Sequence, residues 1–282
     1  LCVLCDFFEN FVVNILKYNI NKIHFFEYLI KYLKLIIIFT KKMSTVEVVL
    51  SPLFLDNNKI FTKAPYNIVV IDVLRATTSI CTAFMNGAKE IIPLQKETET
   101  YEYKNKGYIL AAERDGIKLP HADLGNSADE FTVEKIKNKS IAYFTTNGTK
   151  TILKAHSLAP VYLGSFLNIK ILSDYLIKDK KPVVIVSSGW KDYPNIEDTL
   201  CAGAFAQYLL LNEYYCLEDG TNIALDLWEL AKNNLESYIK KASHYKRLHD
   251  KLNLSYIVPY SLQLNIAHVV PYYDGAKIIN IF

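Results

Sequence analysis

The feature that most constrains the fold is a series of short, almost uninterrupted apolar runs rich in β-branched residues. Three of them are Asn67–Asp72, Ser140–Phe144 and Pro182–Val186. Strands of this kind have no polar face, so helices cover the sheet on both sides. Helical patterns separate the runs, an alternation typical of βαβ units. The sequence therefore predicts an α/β fold, a three-layer sandwich with a mixed, mostly parallel sheet.

The same pattern places the individual elements. Seven strands are predicted before Pro194, at Val46–Leu50, Asn67–Asp72, Glu90–Leu94, Tyr108–Ala112, Ser140–Phe144, Val161–Gly164 and Pro182–Val186. Four helices are predicted between them, at Thr77–Asn86, Lys96–Lys106, Thr149–His156 and Ile169–Ile177. Later residues are mainly helical to about Asp250, with two short strands near Ala267–Val270 and Lys277–Ile281. Composition does not change after Met43, so residues 43–282 are expected to form one α/β domain.

Residues 1–42 have a different composition. They lack Gly, Pro, Ala, Ser, Arg and Met, and they carry the whole net charge of +3. Their longest uncharged apolar run, Leu35–Thr40, is far shorter than the roughly 18 residues of a membrane helix, and small residues for signal cleavage are missing. We expect this segment to be upstream DNA translated in frame, with Met43 as the true start. The alternative is a native tail, either disordered or an amphipathic surface helix.

Composition also narrows the classes of function. A net charge of +3 is too small to indicate nucleic-acid binding. The five cysteines do not have the paired spacing of a zinc site, and an odd number of scattered cysteines is typical of a protein from a reducing cytoplasm. Dinucleotide-binding and Walker motifs are missing, which argues against a nucleotide-dependent oxidoreductase. We expect a cytoplasmic protein with a small anionic ligand and no membrane partner, and the sequence leaves a homo-oligomer open.

Polar residues collect where predicted strands end. In open α/β sheets ligands bind outside the carboxyl ends of the strands, and helix N-termini there favour anions. Carboxylates among such anion donors indicate a divalent metal, and hard oxygen ligands favour magnesium. The candidate residues of this edge are Asp72, Arg75, Glu113, Arg114, Thr146, Asn147, Asn168, Glu197 and Asp198.

Each candidate also has a structural interpretation. Asp72 is a favoured helix N-cap, and Arg75 would suit a surface ion pair. Thr146 and Asn147 before Gly148 are typical of a tight turn. Asn195 and Asp198 resemble a capping box, with Glu197 placed to suit the helix dipole. Small residues surround Cys201, which favours a core position over a nucleophile. The histidines have no metal-binding spacing and are expected on the surface or in the core, among them His121, His156, His244 and His249.

Six segments occur in an order that resembles the 2-phosphosulfolactate phosphatase family. They are Asp72–Ser79, Ala112–Lys118, Asp123–Ser127, Thr145–Thr149, Gly164–Asn168 and Glu197–Ala204. The resemblance runs from about Val46 to the end of the chain. It implies a magnesium-dependent phosphatase that hydrolyses 2-phospho-3-sulfolactate to 3-sulfolactate and phosphate, a step towards coenzyme M.

The resemblance and the chemistry of the side chains together assign expected roles. Asp72, Arg75, Glu113 and Asp198 are expected to be catalytic. Asp72, Glu197 and Asp198 are expected to bind the metal. The expected substrate-binding residues are Arg75, Arg114, Asn126, Thr146 and Asn147. The alternative from another functional class is a non-catalytic binder of anionic metabolites on the same scaffold.

The C-terminal third departs from the family pattern. Positions where the family often has Asp, Ile, Cys and Asp are Ile257, Val258, Ser261 and Asn265 here. The family's Ser243-His244-x-x-Arg247-Leu248 segment is retained. A metal-assisted attack by water is favoured over an aspartyl-phosphate on Asp72. Phosphatases that form that intermediate carry a second Asp two places on, where this chain has Leu74.

Overall fold

A computed structural model describes residues 43–56 and 65–282. Ser44–Phe282 belong to one compact unit. The expectations for residues 1–42 lie outside the described residues.

A mixed sheet forms the centre of the fold. Its strands are β1 (Ser44–Val49), β2 (Asn67–Ile71), β3 (Glu90–Pro93), β4 (Ile109–Arg114), β5 (Ile117–Lys118), β6 (Ser140–Phe144), β7 (Val161–Gly164), β8 (Val183–Ser187), β9 (Tyr214–Tyr215), β10 (Pro271–Tyr273) and β11 (Ile278–Asn280). Their order is β5-β4-β6-β3-β11-β10-β7-β2-β8-β1-β9. Six of the ten pairings among the described strands are parallel, which confirms the predicted mixed, mostly parallel sheet.

Helices pack on both faces of this sheet. They are α1 (Ala76–Met85), α2 (Glu99–Asn105), α3 (Val133–Ile136), α4 (Gly148–His156), α5 (Ile169–Asp179), α6 (Ile196–Leu210), α7 (Asp219–Ala231), α8 (Leu235–Ile239), α9 (Ser243–Asp250) and α10 (Val258–Ser261). Side chains of β2 alternate between two cores. Val69 and Ile71 pack in the core that contains α5, α6 and α7, whereas Ile68 and Val70 pack in the core that contains α1 and α4. This arrangement confirms the three-layer sandwich.

Most predicted elements are present with ends shifted by a few residues, and β6 and β7 have the predicted bounds. The strand predicted near Ala267–Val270 is wrong, because the strand lies at Pro271–Tyr273. The two-residue strands β5 and β9 were not predicted, since two residues are too few to produce a recognisable alternation.

The sheet contains two parallel groups rather than one. One group is β7-β2-β8-β1-β9 and the other is β4-β6-β3, and the antiparallel strands β10 and β11 join them. Along the ladder the two groups therefore run in opposite directions. Strand twist of about 20–25° per step accumulates to on the order of 100° between β2 and β6. This twist explains how residues after β2 and after β6 can meet. The prediction that these residues share one edge of the mixed sheet did not anticipate that the two parallel groups run in opposite directions.

Candidate active site

One small cavity collects polar side chains from the ends of several strands and from the C-terminal helices. It encloses about 10 Å³, which is room for about one water molecule. The residues that line it are Asp72, Leu74, Arg75, Glu113, Gly116, Asn126, Asn147, Trp190 and His244. Of the predicted site residues, Asp72, Arg75, Glu113, Asn126 and Asn147 are therefore brought together.

Asp72 follows β2 directly and has one engaged and one unengaged carboxylate oxygen. Its Oδ1 accepts a hydrogen bond from the Ala76 N–H at the start of α1, at 3.1 Å, although the N-cap position of this helix is Arg75. Its Oδ2 has no hydrogen-bond partner among the described residues. Gly148 makes this approach feasible, because a Cβ there would lie 2.9 Å from Asp72 Oδ2 and 2.5 Å from the Ala76 Cβ. Burial raises the pKa of the Asp72 carboxyl to about 6.

Arg75 is buried rather than part of a surface ion pair. Its Nη1 donates to Ser127 Oγ at 2.6 Å, and its Nη2 donates to the Gly116 carbonyl at 2.9 Å. The side chain is only 6% exposed. The guanidinium thus connects the start of α1 to two loops, and part of its donor capacity is already used within the protein.

Glu113 and Thr146 are joined by two hydrogen bonds. Glu113 Oε1 accepts from the Thr146 N–H at 2.7 Å, and Oε2 accepts from Thr146 Oγ1 at 3.0 Å and from the Gly116 N–H at 2.5 Å. Thr146 therefore fixes Glu113 and does not line the cavity. Both oxygens of Glu113 accept hydrogen bonds from the protein, which leaves this carboxylate less free than Asp72 to bind a ligand.

Two amide side chains present unused donors at the cavity. The Oδ1 atom of Asn126 accepts from the Tyr143 hydroxyl, and Oδ1 of Asn147 accepts from the Lys191 N–H at 3.1 Å. Each contact fixes the orientation of the amide. The two Nδ2 groups make no hydrogen bonds to the described residues, so they are available to an oxyanion.

Asp198 is completely buried at the start of α6 and joins two loops. Its Oδ1 accepts from the Val73 N–H at 2.8 Å. Its Oδ2 accepts from the Gly189 N–H and from Asn195 Nδ2, each at 3.0 Å. Asn195 Oδ1 in turn accepts from the Asp198 N–H, the capping half of the predicted box. The contacts make Asp198 a positioning residue between the loops that follow β2 and β8, and it does not line the cavity.

Glu197 lies beneath the cavity and contacts His244. A carboxylate only accepts hydrogen bonds, so His244 Nδ1 donates to Glu197 Oε1, at 3.0 Å. Glu197 Oε2 is buried without a hydrogen-bond partner among the described residues. His244 Nε2 makes no hydrogen bond to them either, and the ring lines the cavity beside Trp190, with centroids 5.3 Å apart.

The cavity residues that the sequence reasoning did not select are Leu74, Gly116, Trp190 and His244. His244 is buried, as one interpretation expected, yet it also lines the cavity. The sequence did contain a signal for His244, because this residue belongs to the retained family segment Ser243-His244-x-x-Arg247-Leu248. For Trp190, which lies between Gly189 and Lys191 in a loop, the sequence offers no comparable signal.

Arg114 and Cys201 lie away from the cavity. The Arg114 guanidinium pairs with Glu97 at 3.1 Å, and it lies over the Phe144 ring at 4.8 Å from the centroid. These contacts give no support to the predicted anion-binding role of Arg114. Cys201 is fully buried, and burial raises the pKa of its thiol well above the usual range. A core position, as predicted, accounts for Cys201.

Comparison with known proteins assigns the family. A family model described as 2-phosphosulpholactate phosphatase matches residues 56–276. A protein of Caldanaerobacter subterraneus subsp. tengcongensis is 35% identical over 209 residues, which cover 73% of this chain and 86% of that protein. A protein of Carboxydothermus hydrogenoformans is 39% identical over 209 residues, which cover 72% of this chain and 84% of that protein. A protein of Clostridium botulinum is 32% identical over 241 residues, which cover 84% of this chain and 99% of that protein.

All three relatives bear the name "Probable 2-phosphosulfolactate phosphatase". The chain belongs to the 2-phosphosulfolactate phosphatase family, a family of phosphoric monoester hydrolases. Within the part of the chain that the structure describes, no helix is both long enough and apolar enough to cross a membrane.

The different contacts of Asp198 and Asp72 predict different results for the same substitution. In Asp198→Asn, one oxygen becomes an NH₂ group that cannot accept a hydrogen bond, and the remaining amide oxygen is a weaker acceptor than a carboxylate oxygen. The N–H donors of the two loops then lose part of their bonding, and we expect a loss of about 1–3 kcal/mol in the free energy of unfolding. Asp72→Asn keeps the acceptor for Ala76 and should not destabilise the protein. Chemical denaturation of the full chain and both variants measures this. If Asp198→Asn were as stable as the wild type, Asp198 would not hold the two loops together.

The raised pKa of Asp72 predicts a pH effect in protein kept free of divalent metal with EDTA. A carboxyl with a pKa of about 6 when folded and 3.8 when unfolded binds its proton more tightly in the folded state. Its ionisation therefore reduces stability as the pH rises from about 4 to above 6, by on the order of 3 kcal/mol. Asp72→Asn should remove this loss, so the variant gains stability relative to the wild type with increasing pH. A constant difference from pH 4 to pH 8 would contradict this account.

Proposed function

We propose that this protein is a magnesium-dependent phosphatase that releases phosphate from 2-phospho-3-sulfolactate or a similar small phosphorylated 2-hydroxy acid. The observation that carries the proposal is the cavity itself. It combines an unengaged carboxylate oxygen on Asp72, free amide donors on Asn126 and Asn147, and the His244 ring, which is fixed by Glu197. Membership of the family and the names of the relatives support the choice of substrate.

Asp72 is the residue whose arrangement fits a magnesium ion. Asp72 lines the cavity and its Oδ2 has no hydrogen-bond partner among the described residues, and magnesium is commonly held by one or two carboxylates together with water and substrate phosphate. Among the described residues no three His, Cys, Asp or Glu side chains form a group that could hold a metal. Asp198 uses both oxygens on protein donors, so we propose Asp72 rather than the predicted set of three carboxylates as the protein ligand. Bound magnesium would offset the negative charge of the phosphate.

The amide donors beside Asp72 suit the phosphate group. Asn126 and Asn147 each have one side of the amide fixed by the protein, so their Nδ2 groups are oriented before a ligand binds. Preoriented donors stabilise developing charge without reorganisation during the reaction. Arg75 adds positive charge to the same cavity, although its two Nη groups already bond Ser127 and Gly116.

His244 is placed to give a proton to the leaving group. When water attacks phosphorus, the bond to the hydroxy-acid oxygen breaks, and an aliphatic alkoxide needs a proton to leave easily. Glu197 accepts the Nδ1–H of His244 and so orients the ring, and a protonated ring can then donate its Nε2 proton to the leaving oxygen. Glu197 is thus a positioning residue for His244.

Steady-state release of phosphate by the full chain tests the proposal. We expect hydrolysis of 2-phospho-3-sulfolactate with magnesium and its loss in EDTA. His244→Asn should slow this reaction by about 10²- to 10⁴-fold. The loss should be much smaller with p-nitrophenyl phosphate, because the nitrophenolate leaves without a proton.

His249→Asn is the matched control, since His249 lies on the same helix but is exposed, away from the cavity lining, and contacts Asp250 and the Tyr245 ring. Equal losses on both substrates would remove His244 as the proton donor. Ligand binding without phosphate release from any substrate would overturn the phosphatase proposal and support a non-catalytic binder.

A further inference from the structure

The three arginines of the chain have different environments. Arg75 donates to Ser127 and Gly116, and Arg114 pairs with Glu97. The guanidinium of Arg247 makes no hydrogen bond or ion pair to the described residues, although its Nε and Nη2 atoms are buried. Burying such donors without partners is unfavourable, because they lose water and gain no compensating bond. An unused, buried guanidinium edge is therefore a feature that a bound anion would explain.

The position of Arg247 connects it to the cavity. It lies on α9 three residues after His244, so the two side chains leave the same face of the helix. Its guanidinium carbon lies 3.5 Å from the centroid of the Trp190 ring. This stacking fixes the plane of the guanidinium. Trp190 and His244 both line the cavity, so Arg247 adjoins the cavity wall through its contact with Trp190.

The two unpartnered atoms are the pair best suited to an oxyanion. Nε and Nη2 point from the same side of the guanidinium and can donate two parallel hydrogen bonds to two oxygens of one group. Carboxylate, sulfonate and phosphate all present such a pair of oxygens. The donors assigned above to phosphate, Asn126 and Asn147, belong to other segments of the cavity wall. The Arg247 edge is therefore left for a second anionic group.

We infer that Arg247 determines substrate specificity by binding the sulfonate or carboxylate of the substrate through its Nε–Nη2 edge. The inference rests on the proposed function for the identity of the substrate. The cavity encloses room for only about one water molecule, so most of a three-carbon phosphate ester would lie outside it unless the wall moves. Trp190 belongs to that wall and Arg247 packs against it, so a shift of the ring would open the buried edge to the ligand.

The inference can be tested with 3-sulfolactate, which has a sulfonate and a carboxylate but no phosphate. Because the chain has three arginines, its arginine Nε–Hε NMR spectrum should contain three signals. Addition of 3-sulfolactate to the full chain should shift the signal that is absent from Arg247→Lys. Inorganic phosphate should leave that signal in place.

Calorimetry provides a second measurement. Arg247→Lys should bind 3-sulfolactate at least about tenfold more weakly than the wild type, on the scale of one bidentate charged contact. Lys246→Gln, an exposed neighbour on α9, is the matched control and should bind like the wild type. If Arg247→Lys does not fold, the wild-type NMR titration still tests the inference, with the Arg247 signal identified by elimination in Arg75→Lys and Arg114→Lys.

The outcomes separate this inference from the proposed function. An Arg247 signal that 3-sulfolactate does not move, or equal binding by Arg247→Lys, would overturn the specificity role even in an active phosphatase. A shift caused equally by inorganic phosphate would mean that Arg247 binds the phosphate group, which also contradicts the inference. A protein that binds 3-sulfolactate through Arg247 but releases no phosphate would overturn the proposed function and leave the anion site standing.

Discussion

The buried carboxylate of Asp198 is the interaction on which the geometry of the candidate site depends. It accepts one backbone N–H from Val73 and another from Gly189, so it fixes the loop after β2 relative to the loop after β8. The first loop carries Asp72 and the second leads to Trp190. Gly189 has a φ of +64°, and a Cβ there would lie 2.2 Å from the Tyr193 carbonyl oxygen, so only glycine suits this position. An acidic side chain is thus buried to fix two segments of the cavity wall.

Sheet twist provides the second constraint. Asp72 and Asn147 follow strands that belong to different parallel groups, which the antiparallel β10 and β11 separate. Their meeting at one cavity requires the rotation that builds up across the intervening strands. The C-terminal helices complete the site, because α9 places His244 against Glu197 of α6. The site is therefore assembled from residues more than 170 positions apart in the chain, as the numbering of Asp72 and His244 shows.

The layered fold could be predicted from the sequence because a strand that is buried on both faces, such as residues 140–144, is an almost uninterrupted apolar run. Asp72, Asn126 and Asn147 could be placed at the site because they directly follow strands or lie in recognisable motifs. The roles of Asp198 and Thr146 could not be read in this way. An Asp that binds a metal and an Asp that accepts backbone N–H groups are the same residue type in the sequence. Only their tertiary contacts distinguish the two roles. Arg114 and Arg247 illustrate the same limit, since the neighbours of each come from distant segments.

The central claim is that Asp72 and the two asparagines form the metal and phosphate site. A crystal structure of the full chain with manganese, as a magnesium substitute, and tungstate, as a phosphate substitute, tests it most directly, because anomalous scattering locates both ions. The account predicts manganese at Asp72 Oδ2 and tungstate within hydrogen-bond distance of Asn126 Nδ2 and Asn147 Nδ2. Manganese held by Glu197 and Asp198, or tungstate bound outside this cavity, would contradict it.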